Sequence, residues 1–322
     1  MDRLALKQRI QSIPIIRNTI RHLVLSPVRF YLRWFPIRLG KRAIWHNIAC
    51  HLHWLEAPAT AKTVFRAKLL VDPDEDVGRC IYYFGIWEPN LTAWISRSLS
   101  PGDIFVDVGA NVGYFSLLAA EIVKDRGSVV SIEAMPRTCE VLEANFRMNG
   151  IRNGRVVGMA VWNAEGNIEL FGPCEGTSGK ASTRKAQVEK WNFKGRFVVP
   201  CAPLSSIVTA EETKGARIVK IDVEGAEWQA AQGMSCLIER GRQDLEIAVE
   251  VNPDSLHLQG LSCEDFHAFF RKFGFHVYQI ENLYGDLSDI SLRPPAPPRR
   301  IERIPENEQS DIIFSRRNGD VL

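Results

Sequence analysis

From residue 104 onward, short apolar runs alternate with stretches of helical period. Residues 104–108 (Ile-Phe-Val-Asp-Val) form an apolar run of strand length, and residues 114–124 carry apolar side chains at helical spacing. Gly109 and Gly113 stand between them, so the order reads as buried strand, tight turn and helix. The alternation repeats with strand 128–133, helix 138–149, strand 155–162, strand 218–221, helix 227–238 and strand 244–251. Ser262 opens a helix running to 273, with Asp265 in a capping-box position, and a strand follows at 276–280. A last strand at 311–315 is expected to pair antiparallel. The pattern predicts an α/β fold with a seven-stranded, mostly parallel, doubly wound sheet of Rossmann-like type.

Three segments depart from this alternation. Residues 166–171 and 196–200 read as antiparallel strands around a polar, basic loop at 172–185, either a lid or a solvated insertion. Residues 63–71 and 80–84 read as a hairpin around the acidic turn 72–76, covering the front of a cofactor site, and Glu88-Pro89-Asn90 opens a helix to about 99. Residues 289–306 are Pro-rich and expected to be extended. The expected organisation is a helical extension at 1–61, a covering hairpin and helix at 62–100, and the main domain at 101–322.

Composition changes the picture at the N-terminus. The chain has 322 residues and a net charge of +2, yet residues 1–56 hold ten Lys/Arg against Asp2 and Glu56. Helical spacing of Leu4, Ile10, Ile13, Ile16, Ile20 and Leu23, interrupted at Pro14, accompanies aromatics at Phe30, Tyr31, Trp34 and Phe35. Three readings stand: an extension packed on the main domain, a basic amphipathic segment on an anionic membrane surface, or an organelle transit peptide. A nucleic-acid surface is not favoured, because the rest of the chain is acidic and no Asn/Asp-Pro-Pro-Tyr run occurs. His46, His51 and His53 lack partners at ligand spacing. Seven scattered cysteines without a C-x-x-C pair point to reduced thiols and a cytoplasmic setting.

The chemistry concentrates at the glycine turn. A dinucleotide fingerprint would place glycine where Asn111 stands, and Asp107 at the strand end would repel a diphosphate by about 1 kcal/mol at 4 Å even with water-like screening. A carboxylate there suits a cationic ligand such as S-adenosylmethionine. Glu133, closing the next strand, is placed to accept hydrogen bonds from ribose hydroxyls.

The turn Asp107–Gly113, the lead-in Gly85-Ile-Trp-Glu-Pro89, the run Val219-Lys-Ile-Asp-Val-Glu-Gly-Ala-Glu227 and Ile247-Ala-Val-Glu-Val-Asn-Pro253 together resemble the FkbM-type S-adenosylmethionine-dependent methyltransferases. The resemblance spans about residues 80–282. It implies O-methylation of a hydroxyl on a sugar, glycan or small secondary metabolite. It also implies cofactor contacts from Glu88, Asp107, Gly109, Ala110, Asn111, Gly113, Tyr114, Phe115 and Glu133, with Ala160 and Val161 lining the adenine.

Asp222 is expected at the carboxyl end of its strand, beside the Asp107 turn, where an acceptor hydroxyl must meet the methyl group. Methyl transfer needs in-line placement and a base for the hydroxyl proton. Asp222, Glu224 and Glu250 are the catalytic candidates, and Glu227, Asn252 and His257 stand behind them. Crowding should raise the pKa of at least one carboxyl group. The acids also admit a divalent cation such as Mg²⁺, although no coordination set is fixed. The rival readings are a nicotinamide oxidoreductase and a non-catalytic binding or membrane-scaffolding protein.

Overall fold

The computed structural model describes residues 19, 21–36, 39–49, 58–172, 195–281 and 294–322. The chain forms two compact units, one of residues 1–87 with 283–294, the other of 88–282 with 295–322. Their boundary falls inside the 62–100 segment. Residues 173–185 of the polar loop, Leu4, Ile10, Ile13, Ile16 and Ile20 of the expected N-terminal helical face, Pro14, His51 and His53 lie outside the described residues.

The first unit contains α1 (Ser26–Trp34), the antiparallel hairpin of β1 (Ala59–Lys62) and β2 (Lys68–Val71), and α2 (Asp76–Phe84). Leu25, Leu32 and Trp45 are buried in it, and the Trp45 ring meets Tyr83 edge-on at 5.8 Å. Two expectations are corrected here. The hairpin lies wholly within 59–71, and residues 80–84 are helical rather than extended. Five consecutive apolar residues carry no period, so the ends decide: Asp76 sits in the first turn and Gly85 closes the helix in a left-handed C-cap.

The second unit begins with α3 (Pro89–Ser98), followed by β3 (Ile104–Val108), α4 (Tyr114–Val123), β4 (Ser128–Ile132), α5 (Pro136–Met148) and β5 (Gly154–Val157). A small second sheet joins β6 (Ala160–Val161), β7 (Gly166–Gly172) and β8 (Gly195–Ala202), with β7 and β8 antiparallel as expected. Next come β9 (Ala216–Ile221), α6 (Glu227–Gly233), α7 (Ser235–Arg240), β10 (Glu246–Val251), α8 (Cys263–Arg271), β11 (His276–Ile280), β12 (Arg299–Arg300) and β13 (Ser310–Ser315). The expected third strand therefore splits. A tight turn, in which Met159 N donates to Val157 O at 3.1 Å, sends Ala160 and Val161 out of the main sheet to pair with β8.

The main sheet runs β12-β11-β13-β10-β9-β3-β4-β5, the seven expected strands plus a two-residue edge strand. β13 runs antiparallel to both neighbours, while the pairs from β10 to β5 are parallel. Side chains alternate across the pleat, and the two faces differ sharply. One face presents Val106, Val108, Val219, Ile221, Val249, Val251, Ile312 and Phe314 to a wholly apolar core with α6, α7 and α8. The opposite face carries Asp107, Lys220, Glu250 and Asp311, because Asp107 pairs with Lys220 and Glu250 with Asp311.

Candidate active site

β3 and β9 are neighbours where the strand order reverses, and open sheets of this kind bind ligands outside the strand ends at that point. Gly109 lies at φ +79°, and a Cβ there would collide with the Asp222 carbonyl oxygen. Glycine thus lets the loops after β3 and β9 press together, and Asp222 N donates to Val108 O at 2.9 Å. Gly113, at φ +91°, abuts Leu142 of α5 in the same way. Both glycines make room for protein; the ligand gains what that packing brings together.

Asp107 is only 1% exposed. Its Oδ2 accepts from Ser116 Oγ at 2.6 Å, and Ser116 accepts in turn from Ser131 Oγ at 2.7 Å. Oδ1 has no hydrogen-bond partner among the described residues. Burial pushes the Asp107 carboxyl above its usual pKa, against the opposing pull of Lys220 and Ser116. Glu133 closes β4, where its Oε2 accepts from Asn111 N at 2.9 Å and its Oε1 from Met135 N at 2.8 Å. It clasps the glycine turn while keeping further lone pairs for a ligand. Burial outweighs those two N–H donors and raises its pKa to about 7.

Lys220 is 4% exposed, and its Nζ donates to Asp222 Oδ2 at 2.9 Å and lies 5.1 Å from the centre of the Phe115 ring. Burial alone would depress its pKa; the carboxylates of Asp222, Asp107 and Glu88 outweigh that and hold it above the ordinary lysine value. The ammonium is therefore a fixed positive charge between two carboxylate-bearing strand ends.

Beyond it, Glu88, Glu250 and Asp311 bring one carboxylate oxygen each to within 4.8 Å of one another. They line a narrow crevice with Lys220 and Asp222, whose cavity volume is about 10 Å³. Burial, then Asp222, Asp311, Glu224 and Glu88, raise the Glu250 pKa well above the carboxylate range. A carboxylate whose pKa is raised is a stronger base than an ordinary one, and three hard oxygens at this spacing also suit a divalent cation.

Glu88, Asn111 and Glu224 hold φ of 40°, 50° and 47°, left-handed conformations that side-chain-bearing residues seldom adopt. Three of the five such residues outside glycine among the described residues are thus gathered in this site, where backbone strain of about 1–3 kcal/mol each tends to collect.

The sequence candidates divide accordingly. Asp107, Asp222, Glu250 and Glu88 share one end of the sheet, with Glu133 and Asn111 clasped beside them. Phe115 lies against Lys220, and Tyr114 OH meets Thr92 Oγ1 at 3.2 Å. Ala110 lies buried in the turn; Ala160 and Val161 are buried in the second sheet. Glu227 Oε1 accepts from Gly225 N at 2.6 Å and locks the turn after β9. Asn252 caps its own short helix through Ser255 N, and the exposed His257 pairs with Glu306 at 3.1 Å. Sequence reasoning missed Lys220 and Asp311. A lone lysine in an apolar strand, two positions before Asp222 and so on its face, was the legible signal for the first.

The family profile described as Methyltransferase FkbM domain matches residues 107–277, just over half the chain. A protein-L-isoaspartate O-methyltransferase of Archaeoglobus fulgidus is 26% identical over 159 residues, 48% of this chain and 71% of that protein. One from Aeropyrum pernix is 30% identical over 123 residues, 37% of this chain and 46% of that protein. Among solved structures, a methyltransferase FkbM from Methylobacillus flagellatus superposes with TM-score 0.41 at 14% identity, covering 67% of this chain and 44% of that one. The fold is a doubly wound α/β sheet of Rossmann-like type. The chain is a member of the FkbM methyltransferase family, whose methyl donor is S-adenosylmethionine.

The residues present fit that donor. Asp107 offers a buried, unpartnered oxygen, and the site's surplus of carboxylates suits a sulfonium and an ammonium. The start of α4 leaves N–H groups without helical partners, which suit the donor's carboxylate.

Proposed function

We propose that the protein methylates a hydroxyl oxygen of a sugar, glycan or small secondary metabolite at the crevice between Asp222 and Glu250. Asp107, Gly109, Ala110, Asn111, Gly113, Tyr114, Phe115 and Glu133 hold the cofactor in this reading, with Glu88 at its edge and Ala160 and Val161 towards the adenine. The bound cofactor supplies an electrophilic methyl group on sulfur. Asp222, fixed by Lys220, accepts a hydrogen bond from a neighbouring polar group of the acceptor and so orients the reacting oxygen, whose own proton faces Glu250. Glu250 takes the proton as the oxygen attacks, with Glu224 shaping the turn beside it. The supporting observation is the raised pKa of Glu250 in a crevice that also holds Asp222.

The matched relatives named protein-L-isoaspartate O-methyltransferases suggest a carboxylate acceptor instead. The crevice disfavours that: each carboxylate at 4 Å repels another by about 4 kcal/mol at an effective dielectric constant of 20, and Lys220 offsets only one. A neutral hydroxyl pays no such penalty.

The test is methyl transfer from labelled donor to a panel of neutral sugars and hydroxylated metabolites, run beside an isoaspartyl peptide. Turnover of the peptide alone would overturn the proposal. With a hydroxyl acceptor, kcat/KM should rise with pH through a limb above the usual carboxylate range, since the base works ionised. Glu250→Gln should abolish that limb and lower kcat/KM by about 10²–10⁴-fold.

A further inference from the structure

Positions 3–55 contain ten Lys/Arg and no Asp or Glu. Within that stretch α1 has two unlike sides. Leu25 and Leu32 are buried inside the first unit, where Arg29 stacks 4.1 Å over the Tyr82 ring and Lys41 Nζ donates to Leu32 O at 2.8 Å. Phe30 and Trp34, one helical turn apart, point the other way and are 64% and 65% exposed. Leu23 at 73% and Leu39 at 80% extend the same kind of surface along the chain. Most large apolar side chains exposed among the described residues fall between 23 and 39.

We infer that this face of α1, with Leu23 before it and Leu39 after it, docks on an anionic lipid bilayer. Exposed Phe, Trp and Leu side chains on a short helix match the interfacial zone of a membrane, where aromatic rings sit at headgroup level. The stretch supplies the matching charge: it holds no carboxylate of its own, and although Lys41 is buried and Arg29 stacks on Tyr82, every other basic residue that reaches an anionic leaflet adds attraction. The helix lies in the interface rather than crossing it, since no helix among the described residues is long and apolar enough to span. A protein partner fits less well, because such an interface would need acidic side chains facing this stretch over its whole length.

The experiment is flotation of the full-length protein, without cofactor, on vesicles of phosphatidylglycerol and phosphatidylcholine (1:1), against vesicles of phosphatidylcholine alone. Binding should favour the anionic vesicles at least tenfold and fall steeply between 0.1 and 0.5 M salt. The Leu23→Gln/Phe30→Gln/Trp34→Gln variant should bind at least tenfold more weakly with an unchanged melting temperature; should it not fold, Trp34→Gln alone carries the comparison. Equal binding of variant and wild type overturns the inference, as does wild type that ignores anionic vesicles. A concentration-dependent dimer seen by light scattering and lost in the variant, with no vesicle binding, would assign the face to a second copy instead.

Discussion

Lys220 joins groups that the sequence kept apart. It lies in register with Asp107 on the next strand and two positions before Asp222, so one buried ammonium faces both. Asp107 and Asp222 were legible because a carboxylate at a strand end next to a glycine turn is unusual. Asp311 was not, because its partner Glu250 lies far earlier in the chain and only the antiparallel register joins them. Glu133 yields a sharp expectation. Its folded pKa of about 7 lies above the 4.5 of an unfolded glutamate, so its stabilising contribution is complete below pH 4.5 and lost as the pH rises to 7. Glu133→Gln should therefore flatten the apo protein's decline in stability from pH 4.5 to 8 by about 3 kcal/mol. Urea unfolding at the two pH values measures this, and parallel curves for the two proteins would refute it.

Elements bounded by clear punctuation were read well from sequence. The strand before Gly109, the helix after Gly113 and the capped helix α8 fall within a residue or two of expectation. Apolar runs without a period were not: residues 80–84 form a helix set by its caps, and residues 160–161 leave the main sheet at a tight turn. The turn after β3 is the element most sensitive to substitution. Gly109→Ala would force a Cβ against the Asp222 carbonyl at a left-handed φ. It should cost at least 2–3 kcal/mol and lower the melting temperature by several degrees. Because the two loops separate, donor affinity should fall with it. A variant with wild-type melting and calorimetric binding would show the close approach to be dispensable.

Across the molecule, the seven-stranded, mostly parallel sheet followed from the alternation of elements, while the strand order, with β13 between β11 and β10, and the fold of the first unit did not, since they rest on non-local pairing and on packing such as Trp45 on Tyr83. Binding of donor or product at the second unit stabilises the folded chain by mass action: adenosylhomocysteine at a hundredfold over Kd should add about 2.7 kcal/mol. Thermal melting with and without the product checks this, and Asp107→Ala should remove most of the shift; an undiminished shift in the variant would separate Asp107 from cofactor binding. The left-handed backbone at Glu88, Asn111 and Glu224 carries a consequence for how such a chain evolves. Glycine would relax all three positions, so heat selection and selection for turnover pull them in opposite directions. Persistence of bulky, polar letters at these three bends in descendants would then be a record of chemistry still in use, and drift to glycine an early mark of its retirement.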